Sequence, residues 1–319
     1  IRDDVALGFS EWASLAFLVT VPAAHGLVPH FLGGDAAEHF FIMADLGGSQ
    51  SLEDILRVND APLAMATLRT LAVQMAKLHA ATLTTEPAFE AVRNTLPGAS
   101  GLGRQAEAAR WLQSQPKIED WFQAADCALP IDFRPCLQRI AEHYAQPGSF
   151  LCFTHGDPAP SNNHVADGQV RLVDFEYGGF RHALYDITGW NILCPLPSPC
   201  VQMMRHHFQQ ELAIVCPAAR DQSQYNQAWA MMCAFRALAI LTWITPDVLH
   251  TNRPWVDEHW TSRHALLAAM TRLAEASNNI ADLEPVYVAA NLLTQALRQR
   301  WREFETSTDI ATQWPAFAA

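Results

Sequence analysis

Charge is scarce in this chain, and positive charge scarcer. Only 17% of its 319 residues are charged, and 33 acids stand against 21 bases, for a formal net charge of −12. Such a balance argues against nucleic acid or an anionic membrane surface as the partner. It suits a small cationic substrate, or does no more than keep the surface soluble. No apolar run approaches the ~18–20 residues that span a bilayer, and the first residues, IRDDVALGF, lack a signal peptide's basic start and apolar centre. The expectation is a soluble, cytoplasmic protein with no membrane partner. No C-x-x-C occurs, and seven cysteines, an odd number, point to reduced thiols. Cys194 and Cys200 flank a proline-rich loop with His206 and His207 beyond, yet the usual zinc-ligand spacing is missing. Internal repeats and low-complexity segments are also missing. Half of the residues are hydrophobic, enough over this length to bury a large core in one bilobal domain or two.

What the chain does have is concentrated in residues 151–176, LCFTHGDPAPSNNHVADGQVRLVDFE. An apolar run through Phe153 leads into His155-Gly156-Asp157, and Asn162 follows five positions after Asp157. The spacing then predicts a strand from Asn163 to Ala166, a tight Asp167-Gly168 turn and a second strand, Gln169 to Val173, ending at Asp174. Such a hairpin returns Asp174 to the neighbourhood of Asp157 and Asn162. Taken singly, each of these residues would do for a turn cap or a strand end. Together, two acids and an amide meet the needs of phosphoryl transfer: a carboxylate for the attacking hydroxyl and oxygen ligands for magnesium.

In order and spacing, His155, Gly156, Asp157, Pro160, Asn162 and Asp174 resemble the catalytic core of the aminoglycoside phosphotransferase and choline kinase superfamily, relatives of the protein kinases. The resemblance implies catalytic roles for Asp157, as the base that orients the acceptor hydroxyl, and for His155, as organiser of its loop. It makes Asn162 and Asp174 the metal ligands. ATP, or GTP, with Mg2+ is the implied cofactor pair. The implied fold is α+β and bilobal, like the protein kinases, with a truncated-looking nucleotide lobe over 1–45 and a large, mainly helical catalytic and acceptor lobe over 46–319.

Other segments fall into place around that core. Gly8 to Trp12 opens a helix with apolar residues at helical spacing. The resemblance makes Glu11 the carboxylate that pairs with a phosphate-gripping lysine, although a helix-start glutamate is otherwise an exposed group favoured by the helix dipole. No lysine precedes Glu11, and Arg2, the only base there, has the wrong shape for a compact ammonium. The chain is therefore expected to be a fragment, a divergent member, or numbered from beyond a disordered start. Val28–Gly34 and Phe40–Met43 read as strands, after which the resemblance places the adenine-binding hinge at Asp45 and Leu46. Long helices are expected over 62–81, 103–115, 118–127, 133–144, 201–215, 222–241, 257–276 and 284–302, with residues 97–103 as a loop. His79 reads as a packed helix-end residue. Asp186 either braces the catalytic loop, as in the family, or sits as a helix N-terminal acid. Trp190, Trp229, Trp243, Trp255 and Trp260 serve as core, or box a quaternary ammonium.

The expected activity is transfer of a γ-phosphate to a hydroxyl of a small, possibly cationic molecule. A choline- or ethanolamine-type kinase and a nucleotide-binding pseudoenzyme lacking the lysine remain alternatives. The acceptor and the oligomeric state are not written in the sequence.

Overall fold

The computed structural model describes residues 5–97, 103–194, 196–255, 260–301, 304 and 314–318. Arg2, the glycines of the 97–103 loop before Gly103, and the residues 257–259 expected to start a helix lie outside them. The fold is α+β, as expected: among the described residues, three small antiparallel sheets accompany a mainly helical body.

Helix α1 (Val5–Leu18) starts earlier than the sequence suggests and links the two parts. Trp12 packs against Phe31 and Phe41 on one side, at 5.8 and 6.4 Å between ring centroids. Phe17 joins Phe89, Phe153 and Phe180 on the other. Strands β1 (Phe31–Asp35) and β2 (Phe40–Met43) form an antiparallel hairpin, with Leu32, Phe40, Ile42 and Met43 exposed. The first strand thus begins at Phe31 rather than Val28, because Leu27 and Val28 pack into the core instead.

Strand β3 (Gln50–Ser51) runs into α2 (Leu52–Arg57), where Ser51 and Asp54 close a capping box, the reciprocal side-chain to backbone bonds that fix a helix start. Helix α3 (Ala61–Thr82) is capped by Asp60 and buries Leu68, Leu71, Ala72, Met75 and Leu78, the predicted face. Next come α4 (Glu86–Arg93), α5 (Arg104–Gln113), α6 (Gln115–Ala124) and α7 (Phe133–Ala145). Helix α4 was not foreseen: only Phe89 of it is deeply buried, so its apolar signal is short.

Strand β4 (Leu151–Thr154) precedes the hairpin β5 (Asn163–Ala166) and β6 (Gln169–Leu172), which turns at Asp167 and Gly168 with φ of 53° and 73°. Both positive values are those of a type I′ turn. Strand β3 pairs with β5. Strand β7 (Gly179–His182) pairs with β4. The sequence reading ran this stretch directly into a helix. All of β7 is buried, so it shows no alternation, and its Arg181 is carried inside by an ion pair with Glu107 at 2.5 Å.

The remaining helices are α8 (Leu184–Ile192), α9 (Ser198–Leu212), α10 (Pro217–Arg220), α11 (Gln222–Trp243), α12 (Ser262–Ser277) and α13 (Glu284–Arg300). Helix α11 runs through the middle, against α7, α8 and α12, and is buried almost all round. No described helix is long and apolar enough to cross a membrane, and all seven cysteines are free. The described residues hold no group of three or more His, Cys, Asp or Glu suited to a metal.

Candidate active site

The loop after β4 is shaped by one close approach. At Gly156, with φ +89°, a Cβ would lie 2.2 Å from the Tyr177 carbonyl oxygen, so only glycine fits. The loop's N–H groups then turn inward to Asp186. His155 N–H donates to Asp186 Oδ2 at 2.7 Å and Gly156 N–H to Oδ1 at 3.0 Å. His79 Nε2, from α3, donates to Oδ2 at 3.0 Å. Burial alone would push the Asp186 carboxyl up, but the hydrogen bond and charge of His79 and the donors of His155 outweigh it and hold the group at about 2. Asp186 therefore braces the loop rather than capping α8, and His79 is its buried partner.

His155 is fully enclosed. Its Nε2 donates to the Val173 carbonyl at 2.7 Å, its Nδ1 accepts the Asp157 N–H at 3.3 Å, and its ring lies 4.4 Å from Phe175. Burial keeps it neutral, with a pKa below the usual value. Both ring nitrogens are thus occupied by backbone, and His155 positions the loop without facing a substrate. Asp157 is exposed at the loop's tip.

The β5–β6 hairpin brings the two expected metal ligands together. Val173 N–H donates to the Asn162 carbonyl at 3.0 Å, one step beyond the Asn163↔Leu172 pair, so Asp174 emerges beside Asn162. Asn162 Nδ2 donates to the Asp157 carbonyl at 3.0 Å, and its Oδ1 keeps only a long 3.5 Å contact from Ser161. Asp174 takes a left-handed backbone, φ 68° and ψ 62°. A carboxylate and an amide oxygen, brought near each other by this backbone register, are donor types that suit a hard, water-retaining cation such as Mg2+.

Glu11 is not an exposed helix-start group. It lies well inside α1 and is 5% exposed, one turn before Ser14, whose hydroxyl donates to the Phe175 carbonyl at 3.2 Å. The chain's two lysines, Lys77 and Lys117, are exposed on α3 and α6. Asp45 and Leu46 connect β2 to β3, with Asp45 Oδ1 accepting the Gly47 N–H at 2.9 Å. Through the pairing of β3 with β5 this connection runs beside the hairpin that carries Asn162 and Asp174.

A pocket of about 260 Å³ opens at Asp157, lined also by Glu53, Trp190, Cys194, Arg236 and Trp314. Burial pushes the Cys194 thiol up to about 12, so it is no nucleophile. The sequence reading had not picked out Glu53, Arg236 or Trp314. Arg236 did leave a signal, as the one charge in the apolar run from Ala228 to Leu241.

A sequence model of the phosphotransferase enzyme family matches residues 9–194, more than half of the chain and all of the site just described except Arg236 and Trp314. No curated protein sequence matches. Among solved structures, the chain is similar to a choline/ethanolamine kinase family protein from Mesorhizobium loti, at 17% identity over 91% of this chain and 84% of that one, with a TM-score of 0.46. It is also similar to the choline kinase LicA from Streptococcus pneumoniae, at 11% identity over 82% and 80%, with a TM-score of 0.44. For the macrolide 2′-phosphotransferase MphH from Brachybacterium faecium the identity is 16% over 88% and 80%, with a TM-score of 0.42.

Proposed function

Because this chain belongs to the phosphotransferase enzyme family, we propose that it transfers the γ-phosphate of ATP or GTP to a hydroxyl of a small molecule. The observation that carries this reading is the exposed Asp157 on a braced loop, lining a pocket, hydrogen-bonded through its carbonyl to Asn162 and close in backbone register to Asp174. Asp157 accepts a hydrogen bond from the acceptor hydroxyl and aligns it for attack. The new O–P bond forms as the bond to the bridging oxygen of the β-phosphate breaks, ADP leaves, and the hydroxyl proton passes to Asp157 and on to water. The loose transition state asks chiefly for alignment and charge neutralisation, which this site offers without a covalent enzyme intermediate. When bound, Mg2+ supplies positive charge to the phosphates. Asn162 and Asp174 would hold it, while Glu11 and the backbone of Asp45 and Leu46 would serve the nucleotide.

The test is an ADP-release screen with magnesium and ATP or GTP against amino-alcohols, aminoglycosides, macrolides, sugars and hydroxy acids. At least one acceptor should raise ADP release, and Asp157→Asn should abolish the increase. Release that no acceptor changes would overturn the reading. A second reading, nucleotide binding without transfer, draws support from the two lysines, both exposed on helices. It requires magnesium-ATP binding with no acceptor-dependent release.

A further inference from the structure

Two arginines are buried among the described residues, and they are treated in opposite ways. Arg181, 9% exposed, donates to both oxygens of Glu107 at 2.5 and 2.8 Å and to the Tyr177 carbonyl at 2.8 Å. Arg236, 6% exposed, has no hydrogen bond or ion pair among the described residues, and its Nε is buried without a partner. Its guanidinium lies 4.3 Å over the Tyr185 ring and rests on Gly189, where an added Cβ would come within 2.9 Å of Nη2. A ring face attracts the charge but leaves five N–H donors without true acceptors. A guanidinium cannot shed its proton to escape that cost. An unpaired buried charge is tolerated only if something else supplies the counter-charge.

Arg236 and Gly189 line the same pocket as Asp157. Of the pocket's two acids, Glu53 is already paired with Arg57 at 2.7 Å, and Asp157 is reserved for the hydroxyl. At about 260 Å³ the cavity falls below the ~300–1,000 Å³ of drug-sized ligand sites. We propose that the acceptor is a small hydroxylated anion whose carboxylate or phosphate docks on Arg236 while its hydroxyl meets Asp157, which rests on the phosphotransferase reading of Asp157. The side chains of Trp190 and Trp314 cover its carbon skeleton. A quaternary ammonium in the same space would meet a like charge, so the pocket selects in the opposite direction from the chain's net charge.

Calorimetric binding without nucleotide separates this inference from the catalytic reading. The probes are glycerate, glycerol 3-phosphate, glycerol and choline, which differ in charge more than in size. Glycerate or glycerol 3-phosphate should bind, the stronger of the two naming the oxyanion, and glycerol and choline should bind at least about tenfold more weakly, as loss of charge-assisted hydrogen bonds implies. Arg236→Met should melt no lower than the unaltered protein, since an unpaired buried charge is gone, and should lose the anion preference. Gly189→Ala keeps the charge but displaces the guanidinium, and should weaken the anion by a larger factor than glycerol. The inference falls if neither anion outbinds glycerol, or if both variants keep the preference. Anion binding through Arg236 with no ADP release from magnesium-ATP would uphold it and sink the phosphotransferase reading. Transfer to choline or glycerol, undiminished in Arg236→Met, would do the reverse.

Discussion

Replacing Asp186 tests how the catalytic loop is held. Its carboxylate accepts three hydrogen bonds inside the protein, from the N–H groups of His155 and Gly156 and from His79, with none of the side chain exposed. Asp186→Ala leaves two backbone donors and one imidazole donor without an acceptor. Each unsatisfied buried donor costs about 1–3 kcal/mol, and three together about 3–9 kcal/mol at most. The larger figure is a big share of a typical folding free energy of about 5–15 kcal/mol. Asp186→Asn is milder: its remaining oxygen can serve His155 and His79, but an NH2 then faces the Gly156 N–H, for a loss of about 1–3 kcal/mol. Urea unfolding at neutral pH should therefore rank the wild type above Asn and Asn above Ala. Transfer should fall in both variants beyond what unfolding explains, because Asp157 follows directly on the two braced residues. An alanine variant that loses less than about 1 kcal/mol would refute the brace.

Asp157→Asn should leave the unfolding free energy from urea titration within about 0.5 kcal/mol, as for an exposed side chain, and lower turnover by about a hundredfold or more, as for a lost general base; unchanged turnover removes Asp157 from the mechanism. Asp174→Ala should weaken magnesium-ATP binding at least about tenfold in calorimetry, for want of one charge-assisted ligand, and equal affinity would unseat it as a ligand. Acid should unfold the protein in two stages. Burial keeps His143, His155 and His182 below the ordinary imidazole value of 6.5, with the like charges of His143 and His79 adding to the effect at His182. The unfolded chain thus takes up these protons first, and stability, complete above pH 6.5, declines as the pH falls below it. Asp186 adds the second stage: its stabilisation is complete above its unfolded value of 3.8 and is lost as the pH falls through about 2. Urea midpoints that stay flat from pH 7 to pH 5 would contradict the histidine stage.

The catalytic segment was legible because its information is local. A glycine forced by the Tyr177 carbonyl, an Asp-Gly turn and a short hairpin fix the relation of Asp157, Asn162 and Asp174 within some twenty residues. The long helices were legible through their apolar period, as in the buried face Leu68, Leu71, Ala72, Met75 and Leu78 of α3. Strand β7 was not, because a strand buried on both faces has no alternation and its partner β4 lies 25 to 31 residues upstream by register. The burial of Glu11 was equally hidden, since it depends on the packing of α1 against the turn after Asp174. Pocket chemistry was the least accessible part. Glu53, Asp157, Gly189, Arg236 and Trp314 come from five separate segments, and no local rule joins them.

The geometry at Asp174 shows what this site gives up in stability. An aspartate at φ 68° and ψ 62° sits where glycine would be at ease and where L-residues pay about 1 kcal/mol or more. The strain persists because both flanks are clamped. On one side Val173 donates to the Asn162 carbonyl and accepts from His155. On the other, Ser14 of α1 donates to the carbonyl of Phe175. Glycine would relieve the backbone but remove the carboxylate. The same reasoning applies to Arg236, for which an apolar residue would pack at lower cost. Asp174 stands at the end of the β5–β6 hairpin and Arg236 in the pocket at Asp157, while Asp186 holds the loop that carries Asp157. On the function proposed above, Asp174 would belong to the nucleotide side and Arg236 to the acceptor side of the same reaction.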